Sequence, residues 1–386
     1  MPKVNVALVG LGFGSVFAPI YLKHPGVGRL VLCDANPKRL RDLQDRLGVR
    51  DASATLEDVL RDPTVDAVHL NSGIPDHARH AIAVLDAGKH CACTVPMATS
   101  LDDIRAIIAA RRRSGKNYMM METQIYSRDF LHALDLQARG FFGRLQFLSG
   151  AHFQDMENWA PYWAGLPPMW YATHAVAPCL AFARTRARSV RCLGSGWMRP
   201  ALRSQHANPY PMETAIFELE REEPLAMEIT RALFHSARGY SESFSFYGED
   251  ATFEAPQVHG EPPVVFRLSK LGELPGSRVS TEERVYLPDF AHRLPPEIAG
   301  FTGAVELDAR GEHPSVKHGG GHGGSHPHLI HEFLRSIIED RSPAIDEFKA
   351  ADWTAPGICA HTSAMNGGAV VQIPDFGSRI PETGTS

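Results

Sequence analysis

The chain opens with Val6-Ala7-Leu8-Val9-Gly10-Leu11-Gly12-Phe13-Gly14-Ser15, and this stretch decides the fold. An apolar run ends at Gly10, Gly12 follows, and the small Ser15 takes the third place of a G-x-G-x-x-G spacing. Gly10 lets the chain turn sharply out of a strand. Gly12 lets backbone N–H groups approach a pyrophosphate, and Ser15 lets the next helix pack close to the strand. With Phe13 and Gly14 completing the turn, the helix N-terminus directs partial positive charge at the phosphates.

A second apolar run, Leu30-Val31-Leu32-Cys33, ends in Asp34. An acid at the end of the second strand, roughly 20 residues past the glycines, is where a ribose 2′-hydroxyl is bonded. Asp34 repels a 2′-phosphate, which favours NAD over NADP, whereas Lys38 and Arg39 act in the opposite direction.

The chain has 386 residues, enough for two domains. Its apolar content of 44% and charged content of 22% are those of a globular protein. A net charge of -5 with no basic stripe argues against nucleic acid as a partner. No apolar segment is long enough to span a bilayer, and the start shows no signal peptide. Cys33, Cys91, Cys93, Cys179, Cys192 and Cys359 have no C-x-x-C spacing and are expected to be buried thiols in a reducing compartment, so a cytoplasmic location is expected.

Apolar runs at Val4–Val9, Arg29–Cys33, Asp66–Asn71, His90–Cys93 and Asn117–Met121 alternate with helical patterns near Lys38–Leu47, Leu56–Arg61, His77–Ala87 and Leu101–Ser114. This alternation predicts an α/β Rossmann domain with a parallel, doubly wound sheet. A dinucleotide then lies outside the carboxyl ends of the strands, where Asn71, Pro75, His77, Thr94 and Pro96 follow. Beyond about residue 122 the pattern becomes a helix at Arg128–Arg139, a strand at Leu145–Phe153, a helix near Tyr171–Phe182 and many strand-like segments, the last at Arg284–Leu287. That reads as an α+β domain with a large, mainly antiparallel open sheet. A Pro- and Gly-rich stretch, Pro288–Lys317, is expected to be an ordered loop because Phe290, Ile298 and Phe301 call for burial. Helices follow at His326–Asp340, with Ser325 as N-cap, and near Phe348–Met365.

Together these features resemble the glucose–fructose oxidoreductase / inositol dehydrogenase (Gfo/Idh/MocA) family over essentially the whole chain. The matching pieces are the Gly10–Ser15 turn, Asp34, Gly88-Lys89-His90, Gly143-Arg144-Leu145 and His331-Glu332-Phe333. The resemblance implies an NAD-binding Rossmann domain over 1–124, a substrate and oligomerisation domain over 125–325, and C-terminal helices over 326–386 that return to the interdomain cleft and the Rossmann domain. It also implies hydride transfer at a sugar or polyol carbon, and a homodimer or homotetramer. Most members carry Glu-Lys-Pro after the fourth strand. Here Thr94-Val95-Pro96-Met97 lacks that lysine, as in a subgroup with this Thr-Val-Pro-Met run and the segment Gly321–His328. Members also commonly carry an Asp four residues before the active-site His, and Trp170 stands there.

Hydride removal from a carbinol needs a base within hydrogen-bond reach, and histidine suits that task near neutral pH. The family position makes His174 the leading base. Tyr171, three residues earlier, shares its helix face and can relay a proton. Either these are catalytic or His174 is a buried core histidine. His322 and His326, in a glycine-rich run before a helix, form an anion-friendly pocket for a polar or anionic sugar, or belong to a surface loop. A metal held with His152 or Asp155 fits no standard ligand spacing, and none is expected. Glu122 and Tyr126 open the second domain, Glu122 on the cofactor side and Tyr126 on the substrate side. His152, Asp155 and Trp163 belong to a polar-aromatic cluster that suits a sugar, or to a loop pinned by its aromatics.

The reading is therefore an NAD-dependent oxidoreductase acting on a ring hydroxyl of a sugar or glycoside. One alternative is a redox-neutral NAD-dependent glycosidase that oxidises, eliminates, hydrates and re-reduces. Another is a non-catalytic NAD-binding regulator.

Overall fold

In a computed structural model of the chain, residues 2–203, 205–258, 260–270, 272, 274–303 and 320–377 are described below. They divide into two compact units, Met1–Tyr126 with Asp289–Ala351, and Ser127–Pro288 with Asp352–Ser386.

The first unit carries a six-stranded sheet of β1 (Val4–Val9), β2 (Val27–Cys33), β3 (Ala52–Ser53), β4 (Ala67–Leu70), β5 (His90–Cys93) and β6 (Tyr118–Met120). Its order is β3-β2-β1-β4-β5-β6, with every pairing parallel. Parallel strands need crossover helices, supplied by α1 (Ala18–Lys23), α2 (Pro37–Leu47), α3 (Leu56–Arg61), α4 (His77–Asp86) and α5 (Leu101–Ser114). Local chemistry starts several of them. Asn36 accepts from the N–H groups of Lys38 and Arg39, Thr55 from that of Asp58, and Ser100 from that of Asp103. The strand order reverses between β1 and β4, so Gly10 and Asn71 flank the switch point, where dinucleotides bind in such sheets.

In the second unit, α6 (Arg128–Ala138) and α7 (Thr173–Ala183) lie on one face of a nine-stranded sheet. Its strands are β7 (Leu145–Phe153), β8 (Ala187–Ser195), β9 (Met212–Leu219), β10 (Ala226–Ala232), β11 (Ser241–Gly248), β12 (Ala251–Glu254), β13 (Val264–Leu268), β14 (Ser280–Arg284) and β15 (Val371–Gln372). The order is β14-β13-β12-β11-β7-β10-β9-β8-β15, antiparallel except for the β7–β10 pair. Phe130 of α6 meets Phe244 edge-on, and Phe182 of α7 stacks on Phe246 with ring centroids 3.8 Å apart. Truncating such a buried ring to Ala costs about 3–5 kcal/mol. A Cβ on Gly150 would strike the Ala175 carbonyl, so glycine there lets α7 lie directly on β7.

Four helices remain: α8 (Pro296–Ala299), α9 (Gly320–Gly324), α10 (His326–Ile338) and α11 (Glu347–Met365). The first three belong to the first unit, where α10 packs on α1 and β1. The division between the units falls within α11. Residues 289–303 and 320–351 thus group with the Rossmann segment. Phe290 and Ile298 are buried as expected, Phe301 is only half-buried, and the remainder of that loop, beyond Gly303, lies outside the described residues. Ser325 does not cap α10. It has helical backbone angles, follows α9 directly, and its buried hydroxyl caps nothing. The last hairpin strand falls at Ser280–Arg284 rather than Arg284–Leu287, because its register is set by pairing with β13.

Candidate active site

The first unit carries the dinucleotide turn. Gly10 has φ 84°, and a Cβ there would strike the carbonyl of Asn71. Gly14 also packs against Asn71, whose side chain a Cβ would meet at 3.1 Å. Ser15 donates to the Gly12 carbonyl at 3.1 Å and closes the turn. The Asp34 carboxylate accepts from the Leu11 N–H at 2.7 Å and the Asn36 N–H at 2.7 Å, and Arg39 lies 3.0 Å from its Oδ2. The acid at the end of β2 and the glycine turn are thus directly bonded.

The Asn71 amide lies against the same turn. Its Oδ1 and Nδ2 are buried and have no hydrogen-bond partner among the described residues. A buried, unsatisfied amide costs about 1–3 kcal/mol. Orphaned polar atoms beside a glycine cradle fit a polar ligand, and an NAD pyrophosphate suits that cradle.

The other residues expected on the nicotinamide side serve the loops around it. His77 places Nδ1 2.7 Å from the Pro96 carbonyl and Nε2 3.0 Å from the Ser72 carbonyl, tying together the loops after β4 and β5. The Thr94 hydroxyl donates to the Leu70 carbonyl at 3.3 Å. Pro75 sits exposed in a short 3-10 turn, Ile74–Asp76. Glu122 is fully buried and accepts from the Gln124 N–H at 2.9 Å. Tyr126 is stacked with His328, and its burial raises its phenol well above the usual range.

His322 and His326 come to this unit as well, beside the turn rather than in an independent loop. Phe13 meets both rings edge-on, with centroids 5.7 and 6.0 Å away, and His322 Nδ1 lies 3.1 Å from His326 Nε2. Phe17 touches both His326 and His69, and His69 is bonded to Tyr21 at 3.0 Å. Burial drives His326 well below the ordinary histidine value, aided by His322 and His69.

The other unit carries a separate polar cluster, built by strand register. Glu242 pairs with His152, His152 with Arg231, and Arg231 with Glu213. One row across β11, β7, β10 and β9 therefore sets four polar side chains side by side on the helix-covered face. Helix α7 adds His174. Glu242 Oε1 lies 3.7 Å from His174 Nε2 and 3.8 Å from His152 Nε2, and all three side chains are at most 5% exposed. Tyr171 reaches His174 Nε2 at 3.4 Å, and Tyr240 donates to Glu242. Burial raises the Tyr240 phenol, and Glu242 raises it further.

Arg231 fixes this cluster. It is fully buried and donates to the carbonyls of Tyr171, His152 and Ala232 and to Gln154, with its guanidinium over the Tyr171 ring. Burial lowers it to about 10. Trp163 packs edge-on against Tyr171 at 4.9 Å. Asp155 is exposed and turns back to accept from the Glu157 N–H, so it stands in a local turn. Among the described residues, no group of three or more His, Cys, Asp or Glu is placed to hold a metal ion.

Glu242, Tyr240, Arg231, Glu213 and His69 escaped the sequence reading. A signal for three of them was present. Glu242 is in phase with Phe244 and Phe246, Arg231 with Met227 and Ile229, and Glu213 with Ala215 and Phe217. A charge on the inward phase of a strand marks a buried polar site.

A parallel sheet with this glycine turn, an acid bonded back to the turn and a buried, unsatisfied amide at the switch point defines a dinucleotide-binding domain. Residues 4–122 match the family model described as "Oxidoreductase family, NAD-binding Rossmann fold". The match is to the dinucleotide domain, and NAD is the cofactor that this domain binds. Over 97% of its length the chain is 22% identical to "Glycosyl hydrolase family 109 protein 1" of Bacteroides thetaiotaomicron, covering 85% of that protein. Its fold is shared with a levoglucosan dehydrogenase solved with NADH and levoglucosan, at TM-score 0.73 and 18% identity over 96% of this chain and 100% of the other. It is shared equally with myo-inositol 2-dehydrogenase from Lactobacillus plantarum, at TM-score 0.72 and 15% identity over 96% and 100%.

Proposed function

We propose that this protein is an NAD-dependent oxidoreductase that acts on a ring hydroxyl of a sugar or glycoside. The observation that carries the reading is the His174–Glu242–His152 cluster, a carboxylate shared by two buried histidines in a chain that also holds a dinucleotide turn. Bound NAD supplies the hydride acceptor. His174 takes the carbinol proton, and Glu242 stabilises the imidazolium that results. Tyr171 bonds the hydroxyl or passes its proton on. Asp34 holds the adenosine ribose, and the Gly10–Ser15 turn with Asn71 holds the pyrophosphate. Tyr126, His322 and His326 orient the sugar, and Trp163 backs Tyr171. The lysine absent at Val95 would have placed a positive charge near the developing alkoxide, and in this chain an imidazolium at His174 or His152 takes that task.

A second reading is supported by the relatives named as family 109 glycosyl hydrolases. Redox-neutral cleavage of a glycoside needs a base for the hydroxyl proton, removal of the C–H proton beside the resulting ketone, and a proton for the leaving oxygen. Two histidines on one carboxylate can share these transfers. All six thiols are buried and unpaired, which supports a reducing compartment, the cytoplasm. No described helix is long and apolar enough to cross a membrane. Leu193 and Ile216, exposed on the open face of the nine-stranded sheet, support a homodimer or homotetramer.

The test is incubation with NAD and a panel of polyols, free sugars and aryl glycosides, with NADH followed by absorbance and aglycone by chromatography. NADH formed in step with product supports the dehydrogenase. Aglycone without net NADH supports the redox-neutral route, and neither product on any substrate overturns both.

A further inference from the structure

Beside the catalytic cluster, at the far end of the same strand row, stands a second carboxylate–histidine pair. Glu213 is fully buried on β9, and its Oε1 lies 2.7 Å from Nδ1 of His361 on α11. Its Oε2 accepts from the backbone N–H of Met169 at 2.8 Å. Met169 belongs to the short 3-10 turn Pro168–Tyr171 that carries Tyr171 to His174. The same turn is held twice more. A Cβ on Gly357 would strike the Met169 carbonyl, so α11 lies directly against it. The Trp170 ring stands edge-on between His361 and His206, with centroids 5.7 and 5.9 Å away.

In the strand row His152 and Arg231 stand between Glu213 and Glu242, so Glu213 is not placed to pass a proton to that carboxylate. Burying a carboxylate completely costs several kcal/mol unless charge and hydrogen bonds compensate. Glu213 spends that cost on one backbone N–H and one imidazole, both on the scaffold behind Tyr171. From the other side, Arg231, its neighbour in the row, grips the Tyr171 carbonyl. A catalytic hydroxyl misplaced by about 1 Å can lose a hundredfold in rate, which gives such a brace its value.

We propose that Glu213 and His361 form a positioning clasp that sets the Tyr171 hydroxyl at His174, so that the pair governs turnover without contacting ligand. This inference rests on the oxidoreductase reading above and adds positioning residues to it. Trp170, standing where relatives commonly carry an Asp, becomes the ring that His361 braces.

The test combines kinetics with amide exchange on the full-length protein. Glu213→Ala is expected to lower kcat about tenfold or more, with KM for NAD changed by less than about twofold. Glu213→Gln keeps an acceptor for the Met169 N–H and is expected to restore part of the rate. In a Tyr171→Phe background the Glu213→Ala penalty is expected to shrink to less than about threefold, because the clasp acts through that hydroxyl. Full additivity, or a change confined to KM, overturns the proposal. Hydrogen–deuterium exchange needs no substrate. Glu213→Ala is expected to speed exchange at the Met169–Tyr171 amides while the sheet stays protected, and unchanged exchange there overturns the clasp. A wild-type protein with no turnover on any substrate sinks the oxidoreductase reading, and the exchange result then decides the clasp alone.

Discussion

Glu242 and His152 face each other across the β11–β7 ladder, 3.8 Å apart, although they lie far apart in the sequence. The same carboxylate reaches His174 on the overlying helix at 3.7 Å. Replacing Glu242 by Gln leaves the shape and removes the charge that stabilises either imidazolium. Turnover should fall by on the order of tenfold to a thousandfold, with NAD affinity unchanged. Steady-state kinetics beside calorimetric NAD binding checks this, and a variant with near-normal kcat would show that the two histidines work without it.

Gly10→Ala should abolish NAD binding. Its φ of 84° costs an L-residue roughly 1–2 kcal/mol, and the added methyl meets the Asn71 backbone rather than a movable side chain. Isothermal titration with NAD and a thermal melt test it together. Normal binding would mean that the β1 and β4 ends can separate freely.

Arg39 shields Asp34, and its effect should differ between cofactors. Without the guanidinium, a 2′-phosphate meets a bare carboxylate. Arg39→Ala is therefore expected to weaken NADP binding by about tenfold or more while NAD loses much less. Titration of both nucleotides into both proteins is the check, and equal losses would remove Arg39 from the specificity argument.

Stability should fall in mild acid. Burial lowers His69 to about 3, and His24, His90 and His328 to about 4. Below pH 6.5 the unfolded chain takes up protons that the folded chain refuses. Stabilisation present above 6.5 is thus lost as pH falls toward the folded values. Fully buried His69 alone contributes a slope of about 1.4 kcal/mol per pH unit. Buried Asp129, raised to about 6, works the other way, because its cost is relieved on protonation below that value. Four histidines outweigh one carboxyl, so urea midpoints measured from pH 8 to pH 5 should decline. A flat profile would contradict the burial of these rings.

The sequence by itself determined the dinucleotide half. Gly10, Gly12, Ser15 and Asp34 lie within one strand–turn–helix–strand unit, and each position is constrained by its own backbone geometry or its place at a strand end. Local spacing therefore carries the information, and the caps at Asn36, Thr55 and Ser100 are equally local. In the second unit the polar cluster was legible only at His174, Tyr171, His152 and Trp163. Their partners Glu242, Arg231 and Glu213 come from other strands, and only the pairing register brings the four row residues together. A shift of one residue in any of these ladders would turn that strand's polar residue to the opposite face. Register is fixed by how the whole apolar face packs under α6 and α7, a tertiary property that no short stretch of sequence contains.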